Sequence, residues 1–75
     1  MSQEEIYKIL KELGGEASTS EISRRAKEKF PNLTLYQYVG DRLRKLEKKG
    51  YVARVIDKSE RGAGTVRWMI IEEYP

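Results

Sequence analysis

Apolar residues near the start of the chain recur at intervals of three and four, which is the spacing of an amphipathic helix. Ser2 and Glu5 precede this run with the spacing of a capping box, and the Gly14-Gly15 pair follows it as a helix stop. The pattern predicts helix 1 over about residues 3–13, with an apolar face formed by Ile6, Ile9, Leu10 and Leu13.

A second helix is predicted by a second capping box, Ser18 with Glu21. It covers about residues 19–29 and ends before Pro31, because a residue that precedes proline avoids the helical region. The segment around Ala17, between the first two helices, is compatible with a short extra strand.

The third helix has the clearest boundaries in the sequence. Thr34 and Gln37 form a third capping box, and Gly50 follows a basic last turn, which is a typical C-terminal stop. The pattern predicts helix 3 over about residues 35–49, with an apolar stripe formed by Val39, Leu43 and Leu46.

After the third helix the chain becomes rich in β-branched and aromatic residues. Two strands joined by a glycine-containing turn are predicted to form an antiparallel hairpin over about residues 51–71. A hairpin alone is marginally stable, so its apolar face, with Trp68 and Ile70, is expected to pack on the helices. The expected fold is α+β, with three helices followed by a C-terminal two-stranded hairpin, in a single domain over residues 1–75.

The composition excludes several classes of function. With 75 residues the chain has room for one core, and it contains neither cysteine nor histidine. Disulfides, thiolate metal sites, thiol nucleophiles and the usual acid–base group at neutral pH are therefore absent. We expect no enzyme activity, no catalytic residues, no metal site and no cofactor, and no small-molecule effector is evident.

The sequence also carries expectations about location. The longest apolar run, residues 68–71, is far shorter than the ~20 residues that span a bilayer, and the first residues lack the pattern of a signal peptide. We therefore expect a cytoplasmic protein with no membrane contact. Abundant Glu, Lys and Arg with scarce Asn and Gln is typical of thermophile proteomes.

The positive charge is concentrated in the second half of the chain. The formal net charge is +3, yet residues 1–32 carry six basic and six acidic side chains and sum to zero. Residues 33–50 carry five basic against two acidic side chains, which is +3, and residues 51–71 carry four against two, which is +2. A polyanion-binding surface explains this distribution better than general solubility does.

The segment Leu43-Arg-Lys-Leu-Glu-Lys-Lys-Gly-Tyr-Val52 resembles the run in which winged-helix regulators of bacteria and archaea leave the recognition helix and enter the wing. The resemblance covers nearly the whole chain. It implies a winged helix-turn-helix domain that binds double-stranded DNA as a small transcriptional regulator, associated with the nucleoid. The long connection from helix 2 to helix 3 is similar to that of ferric-uptake-type and penicillinase-repressor-type regulators, but the former's metal-binding histidines and cysteines are missing here.

In the implied arrangement helix 3 occupies the major groove and its N-terminal half reaches the base edges. Gln37 is suited to adenine, Arg44 to guanine, and Gly40 allows close approach to the groove wall. The candidates to read bases are Tyr36, Gln37, Gly40, Asp41 and Arg44. The candidates to contact phosphates are Thr34, Tyr38, Lys45, Lys48, Lys58, Arg61 and Arg67, of which Lys58 and Arg61 belong to the predicted wing tip.

Structural interpretations of the same residues remain open. Gln37 is also a capping residue, the basic end of helix 3 suits the helix dipole, and Arg67 is able to pair across the hairpin with Asp57 or Glu60. Asp41 on a basic face suggests pairing with Arg44 or Lys45. Alternative functions are a winged helix that binds protein within a larger assembly, or RNA binding through the tyrosines. A homodimer is compatible with the two-fold symmetry of many operators, with helix 1 or the tail at residues 71–75 as the candidate interface.

Overall fold

The computed structural model describes residues 2–31, 37–57 and 65–75. Within these residues three helices and three strands alternate irregularly along the chain, and the strands form one antiparallel sheet with the order β1-β3-β2. The elements are α1 (Gln3–Glu12), β1 (Glu16–Ser18), α2 (Thr19–Lys29), α3 (Gln37–Lys48), β2 (Val52–Asp57) and β3 (Thr65–Ile70).

The sheet differs from the expected two-stranded hairpin. The predicted antiparallel pairing of β2 with β3 is present, from Val52 opposite Ile70 to Asp57 opposite Thr65. The extra strand suggested around Ala17 is also present as β1, and it pairs with β3 so that Ala17 lies opposite Trp68. The observed order is therefore not three helices followed by two strands, because β1 lies between the first two helices.

Local hydrogen bonds explain where α1 and α2 begin. The hydroxyl of Ser2 accepts from the backbone N–H of Glu5, and the Glu5 carboxylate accepts from the backbone N–H of Ser2. Ser18 and Glu21 make the same reciprocal pair at the start of α2. Both predicted capping boxes are confirmed. The third capping box involves Thr34 and the side chain of Gln37, which lie outside the described residues.

Glycines in the left-handed region end α1 and α3. Gly14 and Gly15 have φ of 95° and 88°, and Gly50 has φ of 87°. After α3 the N–H of Gly50 donates to the carbonyl of Glu47 at 3.0 Å and that of Tyr51 donates to Leu46 at 3.0 Å. These two bonds form a Schellman motif, which turns the chain sharply from α3 into β2.

The core lies between the three helices and one face of the sheet. The predicted apolar faces of the helices are buried except at Leu13, which is partly buried. Val52 and Trp68 of the sheet are buried with them, and Ile70 is partly buried against them. The buried helical residues are Ile6, Tyr7, Ile9, Leu10, Ile22, Ala26, Val39, Leu43 and Leu46. On the opposite face of the sheet Val55 and Met69 are more than one third exposed.

The C-terminal tail packs back on the molecule through aromatic rings. The Tyr74 ring lies 5.4 Å from the Tyr7 ring and 4.9 Å from the Tyr51 ring, centroid to centroid. The hydroxyl of Tyr7 also donates to the backbone carbonyl of Glu72 at 3.0 Å. Tyr51 and Tyr74 are thereby partly buried against the core, which ties the tail to α1 and to the end of α3.

Candidate nucleic-acid interface

The outward face of α3 is basic. Burial of Val39, Leu43 and Leu46 turns the opposite side of the helix to solvent, where Arg44, Lys45 and Lys48 are exposed. Neither Arg44 nor Lys48 has an ion-pair partner among the residues that the structure describes. Arg44 and Lys48 are thus accessible and uncompensated in charge.

Gly40 opens space beside Arg44. Among the described residues, a Cβ atom built on Gly40 would meet only Nη2 of Arg44, at 3.7 Å, and the backbone of Gly40 has no positive φ. Neither backbone conformation nor a close neighbour requires glycine at this position. Its absence of a side chain leaves a shallow groove, lined by Thr19, Gly40, Arg44, Arg54, Val66 and Trp68.

The floor of this groove is held by contacts between four elements. The indole Nε1 of Trp68 donates to the hydroxyl of Thr19 at 2.8 Å, which joins β3 to the start of α2. The guanidinium of Arg54 lies 5.0 Å from the centroid of the Trp68 ring and donates to Glu47 Oε1 at 2.8 Å. Through these contacts β2 and β3 are fixed against both α2 and α3.

A second groove runs along α2 next to the first. Thr19 lines both grooves, so their surfaces are continuous. The second groove presents three hydroxyls and two cations, from Thr19, Ser20, Ser23, Arg24 and Lys27. The Ser23 side chain is 7% exposed, and none of the described residues makes a hydrogen bond to its hydroxyl. Arg24 is exposed and has no ion-pair partner in the described part of the chain.

A second group of cations lies on the other flank of α3 and just after its end, beside the start of α1. A third groove there is lined by Ser2, Gln3, Glu4, Arg42, Lys45, Lys49 and Tyr74. Arg42 Nη1 and Lys45 Nζ both contact Asp41 Oδ2, at 2.7 and 3.5 Å. Asp41 therefore pairs with Lys45, as expected from the spacing, and with Arg42 rather than with Arg44.

Several other cations are neutralised by carboxylates. Arg25 and Lys29 of α2 both contact Glu12 of α1, and these contacts hold the pKa of the Glu12 carboxyl below its ordinary value. Arg67 lies on the outer face of the sheet, where it contacts Glu16 at 3.8 Å and Glu21 at 3.3 Å. The partners of Arg67 are thus at the start of α2 and in β1, whereas the sequence suggested Asp57 or Glu60.

The structure brings part of the predicted site together. Gly40, Asp41, Arg44, Lys45 and Lys48 lie on one helix, and Tyr38 is 43% exposed at its start with Arg42 over its ring. Arg67 lies apart from them on the outer sheet face. Four predicted residues, Thr34, Tyr36, Lys58 and Arg61, lie outside the described residues, as does the side chain of Gln37.

Sequence reasoning left out two residues that line the grooves. Arg54 is not among the predicted site residues, yet it lies between α3 and Trp68. Ser23 was not singled out, although it lies four residues after Thr19 and therefore on the same face of α2. The spacing of Thr19, Ser23 and Lys27, each four residues after the last, was the available signal.

The chain matches no protein-family model, no curated protein and no solved structure. The described residues also contain no cluster of three carboxylate, histidine or cysteine side chains able to hold a metal ion. Within the same part of the chain, each helix is too short or too polar to cross a bilayer. The assignment of a function therefore depends on the arrangement of the residues themselves.

Proposed function

We propose that this chain is a winged-helix domain that binds double-stranded DNA, with α3 in the major groove and the β2–β3 hairpin as the wing. The role that fits such a small basic domain is that of a transcriptional regulator. The observation that carries the proposal is a group of exposed cations without carboxylate partners among the described residues, Arg24 on α2 with Arg44 and Lys48 on α3; Lys8 and Lys49 are likewise exposed and unpaired but line neither the α2 groove nor the groove beside Gly40.

The distribution of ion pairs supports the outward face of α3 and the neighbouring α2 groove as the binding surface. Cations elsewhere are largely paired within the chain, such as Arg25 and Lys29 with Glu12 and Arg67 with Glu16 and Glu21. Arg24, Arg44 and Lys48 keep their charge for an external anion. Binding to phosphates releases condensed counterions from DNA, so uncompensated cations contribute most where they line one continuous surface.

The hydroxyl groups and the glycine beside these cations are also suited to binding DNA. Hydroxyls of Ser and Thr commonly bind phosphate oxygens, and Thr19, Ser20 and Ser23 line the α2 groove next to Arg24. Gly40 lets α3 approach a groove wall without a side chain in between. A helix of 10–12 Å diameter fits the ~12 Å width of the major groove, so the two flanks of α3 would face opposite phosphate backbones.

RNA and protein partners are less well supported. Recognition of unpaired RNA bases needs exposed rings, but Tyr7, Tyr51 and Tyr74 pack on one another, and Tyr38 alone among the described tyrosines is more than one third exposed. Protein binding remains the second candidate because Val55 and Met69 are exposed on the outer sheet face. A protein-binding domain would show no steep salt dependence toward DNA.

The test is the salt dependence of binding to a random-sequence duplex, measured by fluorescence anisotropy. The double variant Arg44→Gln/Lys48→Gln is compared with Lys8→Gln/Lys11→Gln on α1, which removes the same charge from exposed positions. Each lost phosphate contact lowers the slope of log K against log salt by about 0.9, so we expect the α3 variant to lose about 0.9 through Lys48, and up to about 1.8 where Arg44 also contacts phosphate in a random sequence.

The α1 control variant is expected to keep the slope of the wild-type protein. Circular dichroism checks that both double variants remain folded. Equal loss of slope in both variants would mean that binding follows net charge and does not involve α3. Weak, salt-insensitive binding by the wild-type protein would reject DNA as the partner.

A further inference from the structure

Asp41 is the one acidic residue on the outward face of α3, and its contacts leave half of its carboxylate free. Arg42 and Lys45 both contact Oδ2, at 2.7 and 3.5 Å. Oδ1 has no protein partner among the described residues, and the side chain is 48% exposed. The two cations therefore hold the carboxylate through Oδ2, and Oδ1 accepts no hydrogen bond from the described residues.

A carboxylate at this position weakens non-specific attraction to DNA. It neutralises two neighbouring cations and is itself repelled by phosphates. A purely structural role gives little reason for a carboxylate at this position, because an exposed ion pair within a helix contributes little to stability. This loss of non-specific attraction is explained if Oδ1 of Asp41 accepts a hydrogen bond from a base. An ionised phosphate has no hydrogen to donate, so it cannot make that bond.

We propose that Asp41 is a specificity-determining residue that accepts a hydrogen bond from the N4 amino group of cytosine in the major groove. Arg44, one turn further along α3, donates to O6 and N7 of a guanine in the same short G·C segment. This inference rests on the proposed function, since it assumes that α3 occupies the major groove.

The base edges explain why cytosine is the partner. Only cytosine N4 and adenine N6 present donors in the major groove. The adenine donor lies beside the acceptor N7 of the same base, which repels a carboxylate. The acceptor nearest to cytosine N4 is O6 of the paired guanine, and the Arg44 guanidinium would neutralise it. Asp41 and Arg44 are three residues apart on one helix face, where Cβ atoms lie about 5–6 Å apart.

The test compares three duplexes of equal length, made of alternating G·C, I·C or A·T pairs. Inosine lacks the guanine amino group of the minor groove but keeps the major-groove atoms of guanine, so I·C isolates major-groove recognition. The wild-type protein is expected to bind G·C and I·C at least about fivefold more tightly than A·T, the lower bound for one good base contact.

Two substitutions of Asp41 separate its roles. Asp41→Ala should abolish the preference and tighten binding to the A·T duplex, because a repulsive charge is lost and two cations are released. Asp41→Asn should shift the preference toward A·T, since an amide pairs with adenine N6 and N7. Glu28→Gln on α2 is the control, because it changes the net charge equally at an exposed site away from α3.

The outcomes distinguish this inference from the proposed function. If Asp41→Ala keeps the G·C preference, or if the wild-type protein prefers G·C but not I·C, the inference is overturned while steep salt-dependent binding still supports DNA as the partner. If the wild-type protein binds none of the three duplexes, the proposed function itself is rejected. Thermal unfolding of each variant verifies that all comparisons are made on folded protein.

Discussion

Gly50 is required by its backbone conformation, whereas the fold does not require glycine at position 40. Gly50 has φ of 87° and supplies the left-handed residue that ends α3, so any side chain there is strained. Gly40 has no positive φ and no close neighbour, and it lies inside α3, where glycine costs about 0.5–1 kcal/mol relative to alanine. The fold alone would favour alanine at position 40, and the proposed function offers a reason for glycine there, because it leaves open space for the partner.

Gly40→Ala is therefore expected to stabilise the free protein and to weaken its binding to DNA. The free energy of unfolding, measured in urea, should rise by about 0.5–1 kcal/mol because the helix interior gains a better helix former. Affinity for duplex DNA should fall because the new methyl group faces the partner. The contrasting variant Gly50→Ala should lower stability by about 1–2 kcal/mol. A stabilised Gly40→Ala that binds DNA as tightly as the wild-type protein would contradict a close approach at this position.

At the scale of the elements, capping residues locate the helices. The spacing of Ser2 with Glu5 and of Ser18 with Glu21 was sufficient to predict where α1 and α2 begin, because each hydrogen bond spans only three residues. The pairing of β1 with β3 joins segments some fifty residues apart, so the sequence around Ala17 is compatible with a strand but does not identify the strand that it pairs with. Local hydrogen bonding thus predicts where a helix begins better than it predicts which strands pair.

The capping box of α2 makes the stability of the protein depend on pH. The backbone N–H of Ser18 donates to the Glu21 carboxylate, and the Ser18 side chain and Arg67 act in the same direction, so the pKa of Glu21 lies below its ordinary value of 4.5. A carboxyl whose pKa is lowered by folding stabilises the folded state above the unfolded pKa. That contribution is lost as the pH falls from about 4.5 through the folded pKa.

Unfolding of the wild-type protein and of Glu21→Gln at pH values from 7 to 3 measures this contribution. Glutamine keeps an oxygen that accepts from Ser18 but has no charge to lose. The variant should therefore be less stable than the wild-type protein at neutral pH, and the difference should shrink as the pH falls below 4.5. A difference that stays constant over this range would mean that the ionised form of Glu21 contributes nothing specific.

At the scale of the whole molecule, the position of the sheet relative to α3 would determine, in the proposed function, whether both contact one duplex. Trp68 connects them, since its Nε1 donates to Thr19 of α2 and its ring lies under Arg54, which pairs with Glu47 of α3. The sequence predicted that Trp68 packs on the helices, but not which polar groups it meets. Those partners depend on the register of β3 with β1 and β2, which hydrophobic pattern alone does not determine.

A double-mutant cycle measures how strongly the sheet is coupled to α2. Trp68→Phe removes the indole donor, and Thr19→Val removes the acceptor with little change in volume. We expect the two losses of unfolding free energy to be non-additive by about 1 kcal/mol, the usual contribution of a protein hydrogen bond.

The same variants test whether this hydrogen bond also aligns the sheet with α3. If it does, each single variant should weaken duplex binding by more than Ser20→Ala, which removes an exposed hydroxyl from the same α2 groove. Additive stability losses, with DNA affinity unchanged, would mean that this contact neither couples the sheet to the helices nor orients the interface.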